Sequence, residues 1–309
     1  MADAPVTERW PCGLATTPRM SIWRPSPDLA PLVSGYHLYA VDDNGGRANR
    51  GAFEPAWASL RITISGGEDW RVRSISGQWQ RPGPCALFGP SSRLLWSESS
   101  AGILIGVGIR PRGWLRLFGR RARELADRID PAPRLAHLDR GAIVARFRGL
   151  GSDDDVRERL EEVLRLALRP PPPDDAAIAR IEAALTDPAI ATVIDLSMRT
   201  GLSPRKLQRI ADGAFGFPPK VLLRRARFLR SLHALRAARR GEAAAVIDPH
   251  YTDHSHFIRD SHGFLGMSPQ AFLEIDMPLM RRSLELRREV LGAPAQALDP
   301  VVMEPRDLP

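Results

Sequence analysis

TGLSPRKLQRIADGAFGFPP, residues 200–219, decides how this chain is read. Gly201 separates two stretches of helical spacing, and a residue without Cβ takes the positive φ of a tight turn at little cost. Upstream, Val193, Leu196 and the small Ser197 fall on one helix face; downstream, Leu207 and Ile210 anchor a second helix, with Leu202 under the turn. Ser203 is a good N-cap and Pro204 suits the first helical position. With Leu207, Ile210 and Ala211 inward, Arg205, Gln208 and Arg209 share the opposite face. Arginine reads guanine bidentately and glutamine reads adenine, chemistry that suits a helix offered to a major groove. The spacing predicts helices over 193–199 and 203–212. An ordinary hairpin with a polar outer face is the plain alternative, but here glycine, cap and basic face coincide.

Part of this pattern occurs twice. Arg209, Gly213, Phe215, Gly216, Phe217, Pro219 and Leu222 return fifty residues later as Arg259, Gly263, Leu265, Gly266, Met267, Pro269 and Phe272. Two copies of one small helical unit are therefore expected, joined by a helix over about 220–239, with about seven helices over 176–275. Positive charge concentrates here. Residues 199–240 hold twelve basic side chains against one acid, Asp212, so they carry +11 of a net +8 and the rest sums to −3. A localised basic stretch is what phosphate binding requires.

Outward from this unit, RPPPPDD (169–175) marks a boundary, because four consecutive prolines cannot continue a helix and form a stiff spacer. All seven tryptophans lie before it, with strand-like runs such as SLRITIS (59–65), CALF (85–88) and ILIGVGI (103–109). Helical spacing follows in 114–129 and 155–168, where Val156, Leu160, Val163, Leu164 and Ala167 form an apolar stripe. The class is α+β: residues 1–169 a β-rich domain with trailing helices, 170–175 a linker, 176–280 an all-α domain, 281–309 a tail. Trp57, Trp70, Trp79 and Trp96 are read as core rather than as cavity lining. The helices over about 114–168, where Leu160, Val163, Leu164 and Ala167 offer an apolar stripe, are expected to pair two chains into a homodimer, with packing back onto the β-domain as the alternative.

The segments TGLSPRKLQRIADGAFGFPP and HYTDHSHFIRDSHGFLGMSPQAF resemble the paired helix-turn-helix domain of the AraC/XylS family of transcription regulators. That resemblance implies double-stranded DNA as partner, with bases contacted by Arg205, Gln208 and Arg209 from the first unit and by His254, Ser255 and Arg259 from the second. Ser203, Lys206, Arg225 and Arg230 are the expected backbone contacts. The second unit departs from the family pattern: His250, preceded by Pro249, stands where a turn glycine is usual, Val246 where a small alanine packs, and Ser261 where an aromatic is common. Its first helix is therefore expected to be short and to end by about Ile247. FEPAWASLRITISG, CALFGPSSRLLWSES and ILIGVGIRPRGWLRLFGRRARELADRI resemble the cupin-like β-barrel sensing region of some members. This implies a small-molecule effector or a protein partner, with RNA polymerase a further partner.

Other classes fit less well. Cys12 and Cys85 are too few for a disulfide framework, and no His or Asp is placed to activate either thiol, so no enzyme is expected. His250, His254, His256 and His262 invite a metal reading, but His250 and His254 lie on different elements and no carboxylate set or cysteine accompanies the four, so neither metal nor cofactor is expected. No apolar run approaches the ~18 residues of a membrane helix, and the first residues do not read as a secretory signal, so a cytoplasmic protein is expected. The alternative reading is an interaction protein whose helical domain has lost specific DNA binding.

Overall fold

The computed structural model describes residues 19–42, 45, 48–238, 246–301 and 307. The described residues form nine strands: β1 (Arg19–Trp23), β2 (Val33–Val41), β3 (Asn49–Phe53), β4 (Ala58–Gly66), β5 (Arg71–Ser74), β6 (Cys85–Phe88), β7 (Leu95–Ser99), β8 (Gly102–Ile109) and, after the first helix, the short β9 (Ile129–Asp130). They build two antiparallel sheets, ordered β1-β2-β8-β4-β6-β9 and β3-β7-β5. Among the described residues no ladder joins the two sheets, so the expected barrel is an open sandwich.

Period-two alternation gives the large sheet two different faces. Tyr36 and Leu38 of β2 lie beside Val107 and Ile105 of β8, which lie beside Leu60 and Ile62 of β4. This apolar face packs against α1 (Pro111–Phe118), α2 (Arg140–Ala145) and α3 (Asp153–Ala167), which contribute Trp114, Leu117, Ile143, Val156 and Leu160. The stripe expected to pair two chains is thereby spent within the chain: Leu160, Val163, Leu164 and Ala167 are 1–2% exposed. The other face carries His37, Gly106 and Arg61 in one row and Tyr39, Leu104 and Thr63 in the next, and it lines a cavity.

The helical domain comprises α4 (Asp175–Thr186), α5 (Val193–Thr200), α6 (Pro204–Ile210), α7 (Pro219–Ala237), α8 (His254–Leu265) and α9 (Pro269–Leu273). No strand interrupts it among the described residues. The proline segment does not dangle as a spacer. Arg169 N–H donates to Arg116 O (2.8 Å) and Arg116 Nε to Arg169 O (3.0 Å), which pins the start of the proline run along α1.

The two regions share one apolar core, in which Trp57 and Leu94 join Phe215, Phe228 and Leu265. Each unit's repeated Gly216 or Gly266 turn sits on the β-domain. A Cβ at Gly216 would fall 2.9 Å from Pro90, and one at Gly266 3.3 Å from Ile75. Leu94 N–H donates to Phe264 O (2.7 Å). Buried ion pairs cross the same seam, Arg110 to Glu182 (2.9 Å) and Arg112 to Asp175 (2.5 Å). The residues expected as a tail form α10 (Pro278–Leu291) and a short turn at Gln296–Leu298, which return to the β-domain. Tyr39 Oη and Ser283 Oγ are 2.8 Å apart, and Gln296 Nε2 donates to Ala58 O.

Candidate nucleic-acid interface

The first unit is built from its caps. Thr192 and Asp195 form a reciprocal capping box at the start of α5, and Gly201 ends that helix at φ 66°. No atom lies within 4 Å of a Cβ built on Gly201, so backbone conformation rather than crowding calls for glycine there. Ser203 Oγ accepts from Lys206 N–H (3.4 Å), and α6 widens after Ile210 into a π turn over Ala211–Phe215. Leu196, Leu202, Leu207 and Ile210 are buried.

This leaves Arg205, Lys206 and Arg209 exposed on α6, with Gln208 half-buried and donating to Asp212 Oδ2 (3.0 Å). Arg209 and Lys206 converge on Asp174, at 2.7 and 3.6 Å. The pairing spans 35 residues, and nothing in the spacing of α6 announces it. Ser203 is exposed, with its hydroxyl already engaged in the cap.

In the second unit Asp253 caps α8, and His254, Ser255 and Arg259 are exposed while Phe257 is buried. The helix is welded to α7 by Asp260, only 1% exposed, which accepts from Arg224 Nη2 (2.5 Å) and Tyr251 Oη (3.1 Å). Ser261, where an aromatic was the usual residue, donates to Met267 O (2.7 Å) and is fully buried. The expected end of the unit's first helix rests on 239–245, outside the described residues; Val246 and Ile247 already lie in turn and bend. Asp248 then holds the His250 turn, accepting from His250 N–H at 3.0 Å. Between the units Lys220, Arg224, Arg227 and His256 line a basic hollow.

Two expected backbone contacts are placed otherwise. Arg225 is 1% exposed; its Nη1 donates to Ala56 O and Ser91 O, and its guanidinium lies over Trp57. It faces the β-domain and offers nothing to a phosphate. Arg230 is half-buried and turned to Asp248 (3.0 Å) and Leu185 O (3.4 Å). Both carry charge on the connecting helix, whose two sides the β-domain and the helical units cover. Sequence reasoning missed the acids that position these groups, Asp174, Asp248 and Asp260. Among the described residues no group of His, Cys, Asp or Glu gathers as a metal site.

Residues 196–275 match the family model described as a helix-turn-helix domain. Among solved structures, ToxT from Vibrio cholerae in a P21 crystal form is 12% identical, with a TM-score of 0.42 over 77% of this chain and 97% of that one. An unsaturated-fatty-acid-bound wild-type ToxT from Vibrio cholerae is 11% identical, with a TM-score of 0.41 over 88% and 97%. No curated protein matches the chain. No helix among the described residues is long and apolar enough to cross a membrane. Two capped helical units, repeated at one offset and spanned by the family match, make residues 196–275 an AraC-type helix-turn-helix domain.

Proposed function

We propose that the protein is a transcription regulator that reads duplex DNA through α6 and α8 and is controlled by a small molecule held in its β-domain. The observation that carries the DNA reading is the outward face of α6. Arg205 and Arg209 project from a helix whose opposite side is wholly buried, and its N-terminus is free of protein cover. In α8, His254, Ser255 and Arg259 take the equivalent outward positions. A helix of this kind uses its exposed side chains for base edges and its flanking cations for phosphates.

Support for effector control comes from connectivity. A cavity of about 560 Å³ lies in the sandwich, within the size range of small-molecule sites. Its outer wall is α10, which begins five residues after α9 ends. A ligand that favours one seating of α10 thus acts on the element chained to the second unit, within the limit set by its differential affinity for the two states.

Selection from random duplexes, followed by titration across a salt series, tests the DNA reading. Enrichment of one site, with affinity falling steeply as salt rises, is the expected result. Failure to enrich any site at low salt would return the chain to the interaction-protein reading.

A further inference from the structure

The cavity has an unbalanced charge in its lining. Its outer cations all have acids: Arg19 has Asp153 (3.0 Å), Arg50 has Glu98 (3.2 Å), Arg282 has Glu285 (3.6 Å) and Arg287 has Asp299. The acid in the lining, Glu54, is committed to Arg236 and His233. Arg61 has no such partner. It is 8% exposed, its Nε donates to Ser59 Oγ (3.2 Å), and its buried Nη1 meets no acceptor among the described residues. Burying a cation without a counter-ion is costly, and arginine does not escape by losing its proton. Burial brings the guanidinium down only to about 10, so the charge persists at neutral pH.

The sheet beside Arg61 makes room for the His37 ring. Gly106 separates Arg61 from His37 across β8, and a Cβ there would fall 2.1 Å from His37 Nε2. His37 Nε2 is itself buried and without a partner. Burial, with Arg61 and Arg287 nearby, holds this imidazole well below its ordinary pKa, so it remains neutral beside the guanidinium. Around them the surface is apolar. The Phe53 ring lies 3.5 Å from the guanidinium carbon, and Trp70, Leu104, Met280 and Leu284 complete the walls.

We infer that this cavity binds an organic acid, its carboxylate paired with Arg61 and its apolar body lying along Phe53, Trp70 and the inner face of α10. A single guanidinium with one nitrogen already engaged suits a monoanion, and charge-assisted pairing at a buried guanidinium discriminates against a neutral isostere. The inference gives a chemical class to the ligand of the effector reading and rests on that reading only for its effect on DNA.

The test is calorimetry on the full chain with 4-phenylbutyrate and decanoate, each against its amide. Each acid should bind at least about tenfold more tightly than its amide, and Arg61→Gln should shrink that gap to under about threefold. Thr63→Glu, which places a carboxylate on the same sheet face two residues from Arg61, should abolish acid binding without lowering the melting midpoint. It serves as the readout if Arg61→Gln does not fold. The inference is overturned if neither acid binds, if amides bind as well as acids, or if the gap survives in Arg61→Gln or Thr63→Glu. Acid binding that depends on Arg61 but leaves DNA affinity unchanged would uphold this inference and remove the effector reading alone.

Discussion

The guanidinium carbon of Arg225 lies 4.0 Å from the centre of the Trp57 ring, which joins the connecting helix of the DNA-binding domain to the β-domain. Its Nη1 also donates to Ser91 O and Ala56 O. Arg225→Ala should therefore act on stability. Removing the donor leaves Ser91 O short of a partner and a gap beside Trp57, a loss of about 2 kcal/mol. Chemical denaturation reads the loss. The slope of DNA affinity against salt should stay as in the parent protein; a slope lowered by about one unit would instead mark Arg225 as a phosphate contact.

Glu54 ties the same two regions through Arg236 (3.0 Å) and His233 (2.8 Å). Burial alone would raise its carboxyl, but the facing His233 and Arg236 outweigh that and hold it at about 2. The folded value lies below the ordinary glutamate value of about 4.3. Its contribution to stability is thus full above about pH 4.3 and is lost as pH falls through about 2. Glu54→Gln should flatten the stability profile between those limits, measured as denaturation midpoints from pH 6 downward. An unchanged acid limb would mean that Glu54 is not held by these partners.

Three glycines of the first unit separate conformation from crowding. Gly201 has φ 66° and open space around its Cβ position, so Gly201→Ala should cost about 1–2 kcal/mol from the left-handed backbone alone. Gly216 has φ 82° and also meets Pro90 at 2.9 Å, so Gly216→Ala should cost more. Gly213 has neither constraint, so Gly213→Ala should be neutral or stabilising. Melting midpoints in the order Gly213→Ala, Gly201→Ala, Gly216→Ala, highest first, are expected; any other order breaks the account.

The helix-turn-helix was legible because its signals are local: a turn glycine, a serine cap, inward positions at helical spacing, and a repeat at a constant offset. The α+β division was legible from the change of periodicity after β8. What escaped the sequence is what depends on distant chain. The stripe of α3 looks the same whether a second copy or the large sheet covers it, and here the sheet does. The charge of Arg225 gave no hint that Ala56 and Ser91 would face it, and residues 278–298 carried no mark of returning to wall a cavity. Trp70 is 5% exposed and also lines that cavity, so core and lining were not exclusive readings. Among the DNA-facing candidates, local periodicity found the exposed arginines but not the carboxylate that holds one of them.

That carboxylate, Asp174, yields a prediction about DNA affinity. It accepts from Arg209 at 2.7 Å and lies 3.6 Å from Lys206, while the Arg209 side chain is 58% exposed. To reach a base edge Arg209 must leave Asp174, and an exposed pair of this kind is worth about 0.2–1 kcal/mol. Asp174→Asn removes that competitor, and with it a negative charge beside the bound phosphates, while keeping a side chain suited to the start of α4. Its affinity for the selected duplex should rise by up to about fivefold at low salt, and the gain should shrink as salt screens the pair. Arg209→Ala should lose about 1–3 kcal/mol at that duplex and far less on random DNA. In the double variant the gain from Asp174→Asn should shrink to the part that Lys206 supplies. If Asp174→Asn strengthens binding equally with and without Arg209, the carboxylate acts on DNA through the overall field, and the competition at Arg209 is refuted.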